Sequence, residues 1–271
     1  MNEADILAWR QIMEPESFNE SAQEEAVKAN NFFTRLGGVY FSPREAFTEI
    51  GLAPRLVIPI IAVFLISAFG GWYIAQKIDT AALTRAALEQ AVKQGQITEE
   101  QMNQQAAMIS AVSGPITALS SSFSALLLCL AIAGYGKLFS MIAGIKNSFK
   151  SLFEVSLYSI LAVSVVSLVL TVIILQIKGQ KNINVAAANS IVASNLGSWI
   201  ASIAEADVLP KFVMRLAGAV DIFNIWRIAL LSIGFSAVSK KLKTSAVAMW
   251  LSVPYFIFYA ISAAVGFVFG G

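Results

Sequence analysis

Histidine is absent from the whole chain of 271 residues, which removes the side chain most used as a general base near neutral pH and the commonest metal ligand. There is one cysteine, Cys129, inside an apolar block. No disulfide can form within the chain, and one thiol does not define a redox compartment. Charged residues make up only 13%, against about 25% in soluble domains. The formal net charge of +2 is too small for a nucleic-acid surface, and no basic run with interleaved aromatics is present. A Walker motif, an HExxH, paired catalytic carboxylates and a Ser/His/Asp set are all missing, and Gly134-Tyr135-Gly136 is not a GxGxxG. We therefore expect no catalytic, cofactor-binding or metal site, and no enzymatic activity. The first 50 residues hold no basic start followed by an apolar run, so the first span is expected to direct insertion itself.

Apolar residues are abundant, at 57% with a mean hydropathy of +0.69, and they lie in long blocks. A block of roughly 20 apolar residues crosses the hydrocarbon core. Five qualify, at about 56–75, 116–135, 155–175, 220–238 and 245–269. The expected fold is thus an all-α polytopic membrane protein of about five transmembrane helices. Trp72 and Tyr73 stand as interface anchors at the far end of the first span. Pro59 and Pro254 fall inside spans, where neighbouring helices can satisfy the freed backbone groups. A weaker stretch, 185–204, contains Asn189 and Asn195 with several Ser and Gly residues. It reads as an interfacial or loop helix, with a sixth span as the alternative.

Two polar connections stand out. Residues 76–113 are Ala/Gln-rich and predict a helical hairpin outside the membrane: one helix over about 80–94, a break at Gly95, and a second helix opened by a Thr98/Gln101 capping box. The loop 176–217 is long and carries Trp199, Glu205, Asp207 and Pro210. Orientation follows from basic residues in the short loops. Lys137, Lys146 and Lys150, then Lys240, Lys241 and Lys243, and Arg35, Arg44 and Arg55 before the first span, all fall on one side of a five-span arrangement. That side is expected to be cytoplasmic, with the N-terminus inside and the C-terminus and hairpin outside. Six spans would put the Lys240–Lys243 cluster outside.

Residues 1–34 form an acidic polar tail, with Glu3, Asp5, Glu14, Glu16, Glu20, Glu24 and Glu25 against Arg10 and Lys28. The membrane domain takes up 35–271. At its start, Ser42, Pro43 and Glu45 suit the N-cap, first and third positions of a helix that Gly51 can stop. Val39, Tyr40, Phe41, Phe47 and Ile50 give it an apolar side. With Arg44 and Arg55 facing headgroups, this helix is expected to lie in the membrane interface.

Charges within spans are functional candidates because burying them is costly. Asp221, Asn224 and Arg227 follow one another at helical spacing of three, so Asn224 could bridge acid and base; alternatively, Asp221 lies at the outer interface. Trp226 reads as a packing or interface aromatic, and Glu154 as a residue held at the headgroups where the third span opens.

The run Ser42-Pro43-Arg44-Glu45-Ala46-Phe47, leading through Pro54-Arg55 into a span with Pro59, resembles the Ypt/Rab-interacting protein (Yip) family in its bacterial form. The second half is similar in Asp221-Ile222-Phe223-Asn224-Ile225-Trp226 and Leu230-Leu231-Ser232-Ile233-Gly234, then a basic turn and a last span. The expected protein is a multi-pass protein of a bacterial inner membrane that organises membrane or holds partners, without catalysis or cofactor. Its partners would be the lipid bilayer, other membrane proteins or further copies of itself, and no nucleic acid. Eukaryotic members bind small GTPases and carry Asp-Leu-Tyr-Gly-Pro before the first span. Ser42–Phe47 stands there instead, so no residue is carried over for GTPase binding. The reading from another class is a small transporter or permease-like subunit.

Overall fold

A computed structural model describes residues 31–178, 191–203, 210–239 and 241–269. Most of the expected acidic tail lies outside the described residues, as do 179–190 and 204–209 of the long loop. Among the described residues ten helices are seen: α1 Phe32–Phe41, α2 Pro43–Leu52, α3 Val57–Ala75, α4 Thr80–Lys93, α5 Glu99–Ile142, α6 Phe149–Lys178, α7 Leu196–Ile203, α8 Lys211–Ala219, α9 Ile222–Ser239 and α10 Thr244–Phe269. Among the described residues there is no strand, only an isolated bridge between Asn195 and Asp221. Five helices, α3, α5, α6, α9 and α10, are long and apolar enough to cross a membrane, so the protein is an all-α polytopic membrane protein.

Local chemistry explains most boundaries. The Thr98 hydroxyl accepts from the Gln101 N–H while the Gln101 side chain accepts from the Thr98 N–H, a complete capping box at the start of α5. Gly95, with φ +70°, makes the turn before it. The two arms of this hairpin are joined by Arg85 Nε donating to Asn103 Oδ1 at 3.0 Å. The second arm does not stop at the membrane, however. It continues into the second span as one helix of 44 residues with Pro115 inside it. The sequence suggested two elements because polarity changes near residue 115, but helical hydrogen bonding is indifferent to that change. Pro59 is the third residue of α3, in the first turn, where N–H groups have no intrahelical partner and a proline costs little. Over the weak stretch 185–204, the described part holds only the eight-residue α7, about 12 Å long and too short to span.

The core is a cluster in which α6 and α9 meet α2, with Val63 of α3, Cys129 and Ala133 of α5, and Val247 and Leu251 of α10. In lipid, close packing and hydrogen bonds drive association more than burial does, and small residues make the contacts. A Cβ on Gly71 of α3 would collide with Ser121 of α5 and stand 2.8 Å from the Thr117 carbonyl oxygen. The Ser122 hydroxyl donates to the Phe64 carbonyl across the same seam at 2.9 Å.

Candidate functional site

The feature least like a plain bundle is the pair of short helices before the first span. Helix α1 begins inside the stretch read as tail. The Asn31 side chain accepts from the Thr34 N–H at 3.0 Å, and packing of Val39 carries the helix through Gly37-Gly38. Ser42 then serves both helices: its N–H donates to the Gly38 carbonyl at 2.7 Å, and its carbonyl accepts from the Ala46 N–H. Pro43 opens α2 as expected, but Ser42 makes no side-chain cap. The expected capping box with Glu45 is therefore corrected: Ser42, at ψ 60°, is held by its role in ending α1 and lacks the extended backbone of a capping residue.

Helix α2 also turns its apolar side differently from the expectation of a helix lying on lipid. Val39, Phe47 and Ile50 are completely buried, while Arg44 and Glu45 are exposed. Gly234 of α9 makes room for this contact. A Cβ there would collide with Val155 and stand 3.1 Å from the Phe47 ring. The two helices follow the first half of α6. The Ser151 hydroxyl donates to the Gly51 carbonyl, Phe32 packs on Tyr158, and the Tyr40 hydroxyl donates to the Ala162 carbonyl at 2.8 Å. Ala162 stands thirteen residues from the start of α6, about 20 Å along it. The Tyr40 ring reaches Trp226 of α9, centroids 6.1 Å apart. At the elbow, Ser42, Pro43, Arg44 and Glu45 line a cavity of about 290 Å³ with Ile233 and Thr244. Burial raises the pKa of the Tyr40 phenol above its ordinary value.

A buried ion pair holds this helix pair in place. Arg35 of α1 is 2% exposed; its Nε donates to Glu49 Oε1 at 3.0 Å, and its Nη1 to Glu154 Oε1 at 3.1 Å and to the Ala53 carbonyl at 3.0 Å. Glu154, of α6, is completely buried, and its second oxygen accepts the backbone N–H of Arg55. One guanidinium thus joins α1, α2, the link into α3, and α6. Such a fork suits arginine, whose rigid set of donors holds several acceptors at once.

The model of the Yip1 domain matches residues 37–265, from the middle of α1 through most of α10. The chain belongs to the Yip1 domain family. No curated protein and no solved structure gives a significant match.

Arg35 stands two residues before the matched Yip1 region, whereas its partners Glu49 and Glu154 lie within it. Glu154, expected at the headgroups where the third span opens, is buried inside the protein and paired there with Arg35. The other candidate cluster comes apart. Asp221 is buried at the start of α9, where Oδ1 accepts the Asn224 backbone N–H at 3.0 Å and Oδ2 accepts the Ser194 hydroxyl. It caps the helix and ties down the long loop, assisted by Ile222 N–H donating to the Ser194 carbonyl. Arg227, half-buried within electrostatic range of Asp221, Tyr255 and Tyr259, forms no ion pair with Asp221. The Asn224 side chain does not bridge them, because its contact with Asp221 is through the backbone. Trp226 is a packing aromatic against Tyr40. Among the described residues no three His, Cys, Asp or Glu side chains converge as metal ligands would.

Proposed function

We propose that this Yip1-domain protein is a non-catalytic organiser of the bilayer, and that α1 and α2 are a wedge in one leaflet. The observation that carries the reading is the course of the pair along the first half of α6 only, from Ser151 to Ala162. Phe33 and Phe41 remain 78% and 89% exposed on it, large apolar surfaces that suit lipid rather than water. Each helix is about 10 Å wide. On this reading the pair, with its exposed Phe33 and Phe41, displaces more lipid than the shorter α8, which lies along the far half of α10 at the opposite end, so that the cross-section of one leaflet exceeds that of the other. That difference bends a membrane or sorts the protein to bent regions. The end that carries the wedge also carries Lys137, Lys146 and Lys150, with Lys241 and Lys243, and the positive-inside rule makes it cytoplasmic.

The test is reconstitution into vesicles, with shape followed by electron microscopy and solute flux by a trapped dye. The wild type is expected to produce smaller or tubulated vesicles and no flux. Phe47→Glu, which expels the wedge while leaving five spans by circular dichroism, is expected to leave vesicles round. Flux that disappears in Arg227→Ala would favour the permease reading instead.

A further inference from the structure

A second feature lies among the spans, away from the wedge. Helices α3, α5 and α6 pack on one another and leave between them an open cleft of about 250 Å³, whose lining includes Ser67, Ile74, Ser121, Ser164, Ser167 and Thr171. Five hydroxyl-bearing residues from three helices line this space, and no charged residue does. The Thr171 hydroxyl donates back to the Ser167 carbonyl at 2.8 Å. Ser67, Ser121, Ser164 and Ser167 have no hydrogen bond to the rest of the protein through their hydroxyls, and all four are partly exposed. Hydroxyls at this depth favour an occupant that hydrogen-bonds with them.

Both ends of the cleft are apolar. Beyond Ile74 and Thr171, a small cluster of Tyr73, Ile174 and Leu175 with Ile191 and Val192 of the long loop covers one end. Towards the other end, Val63 and Val163 are buried in the main core. On the flanks, by contrast, Phe69 of α3 and Val169 of α6 are about half exposed. Entry is thus from the side, where the surroundings are acyl chains.

We propose that this cleft binds the uncharged, hydroxyl-bearing head of a neutral lipid of the diacylglycerol class, its acyl chains lying along α3 and α6. A charged head would be expensive at this depth without a counter-charge, and the lining offers none. A free hydroxyl and two ester groups match the mixture of donors and acceptors that serine and threonine provide. The volume corresponds to about eight waters' share of liquid, enough for a glycerol unit and too little for a large headgroup.

The test uses the full chain in phosphatidylcholine vesicles with a photoactivatable diacylglycerol, and mass spectrometry of the labelled peptides. Label is expected in α3 and α6 around Ser67 and Ser164–Thr171, displaced by unlabelled diacylglycerol and not by added phosphatidylcholine. Ser164→Ala with Ser167→Ala keeps the shape and removes two hydroxyls, and is expected to lower labelling there several-fold. Ser164→Leu with Ser167→Leu fills the cleft and is expected to abolish it, while labelling elsewhere stays unchanged as evidence of a folded protein. Label spread evenly over the five spans, equal competition by phosphatidylcholine, or labelling unaffected in the double alanine variant would each overturn the proposal. Because the readout is a labelled position and not vesicle shape, its failure is distinct from failure of the wedge.

Discussion

Arg35 and Glu154 are 119 residues apart in the chain and meet in a buried ion pair of 3.1 Å. Their contact fixes where the chain enters the bundle: Arg35 is on the first helix, Glu154 near the start of the third span, and Glu49 completes the pair from α2 at 3.0 Å. A buried pair contributes little net stability over apolar residues of the same volume, but breaking it by removing one partner is severe.

Arg35→Ala should therefore lower stability in detergent by about 3–5 kcal/mol, read as a fall in Tm. Arg35→Met combined with Glu154→Met should recover much of the loss, because no charge is then stranded. In Arg35→Ala, protease sites within 32–52 should become accessible before the spans are cut. A double variant as unstable as the sum of the two single ones would show that the residues act independently.

Gly234 sets the distance between the wedge and α9. Gly234→Ala places a methyl group against Val155 and Phe47, and overpacking of this kind costs about 1–3 kcal/mol. Val155→Ala should relieve part of that cost when combined with it. The interaction energy from the double-mutant cycle is the measurement, and a value near zero would mean that the helices shift freely apart.

Much of this architecture was legible in the sequence where the signal is local. Long apolar blocks defined the spans, Thr98 and Gln101 the start of α5, Gly95 the turn, and Ser42-Pro43 the start of α2, while α1 went unread. The Yip resemblance followed from short runs around Ser42 and Asp221. What could not be read depends on contacts between distant segments. Phe47 and Ile50 form an apolar stripe that suits lipid or protein equally well, and only the notch at Gly234 decides between them. Arg35 looked like one more basic residue before a span, because nothing in its neighbourhood announces Glu154. The one available hint was a carboxylate at the opening of an aliphatic span, a costly position unless paired. The hydroxyl cleft was illegible for the same reason, since Ser67, Ser121 and Ser164 lie on three helices and each is unremarkable alone.

Asp221 should behave as a cap and not as half of an ion pair. Asp221→Ala is expected to cost about 1 kcal/mol, the usual loss of an N-cap, and Asp221→Asn less than that, since its amide oxygen can still accept the Asn224 N–H. Ser194→Ala should weaken the long loop in the same assay. Adding Arg227→Leu to Asp221→Ala should give the sum of the separate effects within about 0.5 kcal/mol. Clear rescue in that double variant would restore the acid–base pair suggested by their spacing.

Orientation is the last prediction, because on the proposed reading the wedge acts on whichever leaflet holds the lysine-rich end. Gly51 stands 3.2 Å from Val238 by way of an added Cβ, and its carbonyl accepts the Ser151 hydroxyl, so the α5–α6 and α9–α10 turns are at the same end of the bundle as the wedge. The α4–α5 turn is at the other end of α3 and α5. Single cysteines at Lys241 and Gln96, both exposed, in a Cys129→Ser background, should therefore differ with an impermeant thiol reagent on intact cells. Gln96→Cys should label at once, and Lys241→Cys only after the membrane is opened. The reverse pattern would keep the five-span bundle and move the wedge to the outer leaflet, inverting the curvature proposed for it. Equal labelling of both would contradict the separation of these two turns by the membrane, and with it the five-span arrangement.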